Sequence, residues 1–74
     1  MNAHEAAIWI IRTSKIGIRE LYRRAGNVKH TVYGGGSPNS DVLARIANAC
    51  GYDLVLVKRD GTETIVIDPF PDDD

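Results

Sequence analysis

The dipeptide Asp60-Gly61 constrains this chain more than any other feature. It separates two runs rich in β-branched residues, 53–59 and 62–68. An Asp-Gly pair between such runs is the strong signal for a β-hairpin closed by a two-residue type I′ turn. The turn sets the register: Arg59 faces Thr62, Lys58 faces Glu63, Val57 faces Thr64, Leu56 faces Ile65, Val55 faces Val66 and Leu54 faces Ile67. One face then carries Leu54, Leu56, Ile65 and Ile67, tipped by the Lys58–Glu63 pair. The other carries Val55, Val57 and Val66. A hairpin lying on a core needs one apolar face, so the valine face calls for its own cover. That cover is a partner subunit, the acidic tail or water. A partner is favoured, because the chain is small and the strand edges are otherwise open.

The other 50 or so residues read as helices. The first spans about 3–13. Asn2 caps it, Glu5 completes a capping box, and Ala3, Ala6, Ala7, Ile10 and Ile11 form an apolar stripe. Ile8 and Trp9 widen that stripe, which places Trp9 in the core. A second helix fits 18–25, with Leu21, Tyr22 and Ala25 inward, Arg19, Arg23 and Arg24 outward, and Gly26 as a left-handed C-terminal cap. A third, short helix fits 28–33 and is stopped by Gly34-Gly35-Gly36-Ser37-Pro38. A fourth, capped by Asn39 or Ser40, reaches Cys50 on a stripe of Leu43, Ile46, Ala47 and Cys50, with Gly51 as the stop. The expected architecture is α+β: four short helices over about 2–51, a hairpin over about 53–68 and an acidic tail over 69–74. All of it forms one domain, since 74 residues allow no second core.

A domain of this size is marginally stable alone and usually needs a staple, a metal or a partner. Cys50 is the only cysteine, so no disulfide forms within the chain, and it reads as a small buried hydrophobe. His4, His30 and Cys50 lack paired-ligand spacing, which argues against zinc. The longest uncharged apolar run near the start, 6–11, is far too short to span a bilayer, and no basic flank marks an export signal. A cytoplasmic location is the expectation. Ser14, Ser37 and Ser40 have no suitably placed histidine, and the acidic residues gather at one end of the chain. The three glycines lack a following Lys-Ser/Thr. Neither a phosphate loop nor an enzyme is expected, and no cofactor is implied.

The formal charge is −1, yet its distribution is uneven. Residues 1–45 carry seven basic and three acidic side chains, whereas 46–74 carry two and seven. A basic half suggests a polyanion partner.

The stretch Arg19-Glu20-Leu21-Tyr22-Arg23-Arg24-Ala25-Gly26-Asn27-Val28-Lys29-His30-Thr31-Val32 resembles the helix-turn-helix of the phage repressor and Cro (XRE-like) family. Leu21, Gly26, Thr31 and Val32 stand at its spacing of buried leucine, turn glycine, and Thr followed by a buried β-branched residue. Leu43–Tyr52 resembles the family's fourth helix and stop. Asp60-Gly61 with Pro69-Phe70-Pro71 resembles the hairpin and arm through which Cro dimerises. The chain departs from the family in having Tyr22 where a small residue is usual and Ile18 where Gln is frequent. Its third helix is also about one turn shorter.

The resemblance implies a dimeric repressor that lays its third helix in the major groove of double-stranded DNA. Asn27, Val28, Lys29, His30 and Tyr33 would then face the groove, and Arg19, Arg23 and Arg24 the backbone. The alternative for the arginines is a solvated face in which Glu20 pairs with Arg23 or Arg24. The dimer interface would comprise Val55, Val57, Val66 and Phe70. The competing function is a protein-interaction module, such as the antitoxin of a toxin–antitoxin pair, whose hairpin and Phe70 arm bind another protein.

Overall fold

The computed structural model describes residues 1–70. Pro71 and the acidic end 72–74, expected to be a solvated terminus, lie outside the described residues. The order is α1 (Ala3–Ser14), α2 (Ile18–Ala25), α3 (Lys29–Gly34), α4 (Ser40–Ala49), β1 (Leu54–Val57) and β2 (Thr64–Ile67). The fold is therefore α+β, four helices followed by a two-stranded antiparallel hairpin. No helix is long and apolar enough to cross a membrane.

The caps account for the helix boundaries. At α1, the Asn2 side chain accepts from the Glu5 N–H at 2.8 Å while Glu5 Oε1 accepts from the Asn2 N–H at 3.0 Å. These two bonds satisfy donors that an α-helix leaves orphaned at its start. Asn39 Oδ1 accepts from the Val42 N–H at 2.9 Å and starts α4. α4 ends in a Schellman arrangement: the Tyr52 N–H reaches the Ala47 carbonyl at 2.8 Å, across Gly51 at φ +84°. Gly26 ends α2 at φ 81° and ψ −161°. It is not the left-handed helical cap expected from sequence, but lies in a region essentially restricted to glycine.

α4 is the central element, with α1 and α2 packed on it and β1 leaving its end. The core joins Ala7, Leu21, Ala25, Val28, Ile46 and Ala49, with Ile10, Ile11, Ile16, Val32, Val42, Leu43 and Cys50 partly buried around it. Leu21 and Ile46 are the only large side chains that are fully buried among the described residues. Alanine fills most other core positions, so the helices approach closely but bury little apolar area each. Trp9 is 50% exposed rather than in the core. Its position lies off the Ala7, Ile10 and Ile11 side of α1, and that side alone faces the neighbouring helices.

The hairpin has the register expected from sequence, Leu54 opposite Ile67 through Val57 opposite Thr64, but a different turn. A type I′ turn needs positive φ at both central residues. Here Gly61 is positive at +79° and Asp60 is not. The Gly61 N–H instead bonds the Lys58 carbonyl at 2.7 Å, and the Lys58 N–H bonds the Glu63 carbonyl at 2.9 Å. The connection is thus a four-residue loop, 59–62, and the strands stop at Val57 and restart at Thr64. Both loops leave Lys58 opposite Glu63, so the register is unchanged. Asp60 stabilises the loop through its carboxylate, which accepts from the N–H of Thr62 at 3.0 Å and from its hydroxyl at 2.7 Å. These bonds hold the Asp60 carboxyl below its ordinary range.

The Leu54, Leu56, Ile65, Ile67 face does not lie along the helices. Only Leu54 and Ile67, at the base, are half-buried, while Leu56 is 60% exposed and Ile65 50% exposed. The hairpin projects from the end of α4, and beyond the base formed by Leu54 and Ile67 both of its faces are exposed.

Candidate nucleic-acid interface

The link 26–28 and the first turn of α3 decide which side chains a partner can meet. Val28, expected to face the groove, is 2% exposed and belongs to the core. It precedes α3 as its N-terminal flanking residue, and burying it with Thr31 rolls the opposite side of the helix outward. That side carries Lys29, His30 and Tyr33. With Asn27 and Gly34 they line an open surface depression. The fold thus brings together four of the five residues expected there and removes the fifth. Asn27 is partly committed, because its Oδ1 accepts from the Lys29 N–H at 3.3 Å.

The triple glycine stop is shaped around His30. An added Cβ at Gly34 would stand 3.2 Å from His30 Nδ1, and one at Gly36 would stand 3.2 Å from Cδ2 and Nε2. Between them Gly35 adopts φ +72° and ends α3. The loop is tied to α1 by a 3.1 Å contact between His4 Nδ1 and the Gly36 carbonyl. His4 was not expected to take part. No sequence spacing points to a bond between residues 32 positions apart.

Tyr22 packs against the core, and its hydroxyl is buried without a hydrogen-bond partner among the described residues. Desolvation, and secondarily the Tyr33 phenol, push its pKa up.

The arginines of α2 divide into three situations. Arg23 makes a two-point ion pair with Glu20, and Arg24 Nε shares the same carboxylate. Hydrogen bonds from Arg23 and then Arg24 hold the Glu20 carboxyl below its ordinary range. Arg24 also donates from Nη1 to the Ala49 carbonyl at 3.1 Å, fastening α2 to the end of α4. Arg19 is exposed and makes no ion pair among the described residues. The pairing of Glu20, raised as the alternative for this group, is present with both partners.

A second surface lies at the other end of the chain. Val55, Val57 and Val66 are exposed on the hairpin, and Phe70 is 76% exposed beside it. The backbone of Phe70 is nonetheless held. Asp41 Oδ1 accepts its N–H at 2.6 Å, and its carbonyl accepts from Arg45 Nη2 at 3.0 Å. Asp41 and Arg45 also pair with each other at 3.0 Å along α4. Their spacing of four is a visible helix-pair signal, but nothing in it points to residue 70. Comparison of the chain with family models, with curated proteins and with solved structures gave no match.

Proposed function

We propose that this chain is a DNA-binding transcriptional regulator of helix-turn-helix type, resembling the phage repressor and Cro (XRE-like) family and working as a homodimeric repressor. One observation carries the reading. Leu21, Ala25 and Val28 lock α2 and the start of α3 into the core, which leaves Asn27, Lys29, His30 and Tyr33 on one open face. Lys29 and Tyr33 donate to a duplex from that face, and Arg19 supplies a further cation from α2. The homodimer covers the exposed part of the hairpin, because a small domain that leaves the outer rungs of its two-stranded sheet uncovered on both faces gains most from a second copy. The deciding experiment is a titration of the full chain with duplex DNA at several salt concentrations. Binding that weakens steeply with salt is expected, since phosphate contacts release counterions. Affinity indifferent to salt contradicts the reading.

The exposed hairpin with Phe70 at 76% exposure also favours a second reading, a protein-interaction module of antitoxin type. There the same surface binds a different protein, such as a cognate toxin. A chain that self-associates at micromolar concentration without any other protein decides for the first reading. A strictly monomeric chain that binds no duplex decides for the second.

A further inference from the structure

The two faces of the hairpin are not equivalent. The face of Leu54, Leu56, Ile65 and Ile67 is seated at its base, where Leu54 and Ile67 are half-buried. Its tip carries Lys58 opposite Glu63, charges that compensate each other within one chain. The valine face has neither feature. Its two rungs, Val55 with Val66 and Val57 with Thr64, are exposed throughout. Strand alternation brings Asp53 and Asp68 to this side at the base, one step below the Leu54–Ile67 rung, and Arg59 at the tip, next after Lys58. All three are exposed and make no ion pair among the described residues. The face is an apolar strip with two unpaired carboxylates at one end and an unpaired guanidinium at the other, separated by about 20 Å of strand.

Such a strip is complementary to itself when turned end for end. A two-fold axis perpendicular to the face puts valine on valine and lays each guanidinium end over a carboxylate end, twice per pair. Parallel stacking sets Arg59 on Arg59 and aspartate on aspartate, and crowds both helical bodies at one end. We infer that two copies stack their valine faces antiparallel, with Arg59 of each copy against Asp53 and Asp68 of the other. The inference rests on the homodimer reading above and assigns which face joins and in which direction. Stacked sheets lie about 10 Å apart, a gap that a long Arg side chain and an Asp side chain reaching toward each other can close. The helical bodies then stand at opposite ends of the stack.

The test is sedimentation velocity of the full chain and its charge variants over a range of concentration and salt. Arg59→Glu is expected to weaken self-association about ten-fold or more, because two attractions become two repulsions. Added salt is expected to loosen the native dimer and to tighten what remains of the Arg59→Glu dimer. The triple variant Asp53→Lys, Asp68→Lys, Arg59→Glu inverts both ends at once and is expected to return close to native affinity. Circular dichroism verifies that these exposed substitutions leave the helices intact. Self-association unchanged by Arg59→Glu, or a folded triple variant as weak as Arg59→Glu, overturns this inference and leaves the homodimer standing. So does a monomer produced by Val66→Pro, which removes only an outward N–H and keeps the face apolar. A native chain that is monomeric at every concentration overturns both.

Discussion

Asp41 holds Phe70 by the backbone: its Oδ1 accepts the Phe70 N–H at 2.6 Å, across 29 residues of chain. Arg45 completes the clamp from the next turn of α4 by bonding the Phe70 carbonyl. The backbone of Phe70 is therefore held while the residue is left 76% exposed. A held backbone presenting a bare ring lowers the ordering cost of seating that ring in a partner.

The clamp depends on a charged Asp41. Its carboxyl is held below the ordinary value of 3.8, first by Arg45 and then by the Phe70 N–H. A group whose pKa is lowered by folding contributes fully above its unfolded pKa and loses that contribution as pH falls through the folded one. Protection of the Phe70 amide against hydrogen exchange is thus expected to be constant above about pH 5 and to fade only below the ordinary Asp range. Asp41→Ala abolishes the protection at neutral pH and weakens self-association, with helix content unchanged. Protection lost already at a pH above 3.8 contradicts the clamp.

The contact between His30 and the glycine loop predicts a coupling between two substitutions. A Cβ at Gly36 meets the imidazole at 3.2 Å. Gly36→Ala is expected to cost about 0.5–1 kcal/mol in the native chain and close to nothing in a His30→Ala background. Gly35→Ala is expected to cost about 1–2 kcal/mol in either, because φ +72° disfavours any side chain regardless of neighbours. Urea denaturation of the five variants (the three single substitutions and the two doubles with His30→Ala) and the native chain measures this. Equal costs of Gly36→Ala in both backgrounds would separate the loop from the ring.

These two relationships mark where the sequence is legible and where it is not. Caps, stripes and the Asp60-Gly61 dipeptide act over a few residues, so the helices and the hairpin register can be read directly. The turn type could not, because Asp60 and Gly61 suit both a two-residue loop and a four-residue one. The choice depends on the Asp60 bonds to Thr62. Val28 reads as exposed on a short isolated helix and is buried only because α3 is rolled toward the core. Trp9 reads as core by residue type, but a core filled largely by alanine leaves it outside. The Phe70 clamp and the His4 tether join positions 29 and 32 apart, and no local pattern encodes such distances.

Glu20 decides how much of the positive charge of α2 is available. It binds both Arg23 and Arg24, so Glu20→Gln frees the Arg23 guanidinium, unpairs that of Arg24, which keeps its bond to the Ala49 carbonyl, and removes an opposing charge. Duplex affinity is expected to rise several-fold and its salt dependence to steepen by about one to two per subunit. Arg24→Ala is expected to lower Tm by a few degrees, since Arg24 also holds the Ala49 carbonyl, whereas Arg23→Ala leaves Tm near that of the native chain. Arg19→Ala weakens duplex binding at unchanged Tm. Identical thermal shifts for Arg23→Ala and Arg24→Ala would show that the bond to α4 contributes nothing.

The hairpin allows edge pairing to be told apart from face packing. Lys58 and Glu63 are a hydrogen-bonded pair, and antiparallel pairs alternate, so Leu56–Ile65 and Leu54–Ile67 also bond inward. Val55, Val57, Thr64 and Val66 therefore turn their backbone N–H and C=O groups out to the free edges. Val66 lies on the valine face and on the edge of β2 at once. Val66→Pro removes an outward N–H while sparing the bonds within the hairpin, as proline requires of a strand edge. Val66→Lys keeps the N–H but places a charge on the valine face. If two copies join edge to edge, Val66→Pro yields a monomer by sedimentation velocity with native helix content. If they stack by their faces, Val66→Lys does so and Val66→Pro does not. Leu54→Lys is the structural control, expected to loosen the hairpin itself, because Leu54 is one of the two strand residues seated against the helices. Self-association that survives both Val66 variants removes the hairpin from the interface and leaves Phe70 as its only expected anchor.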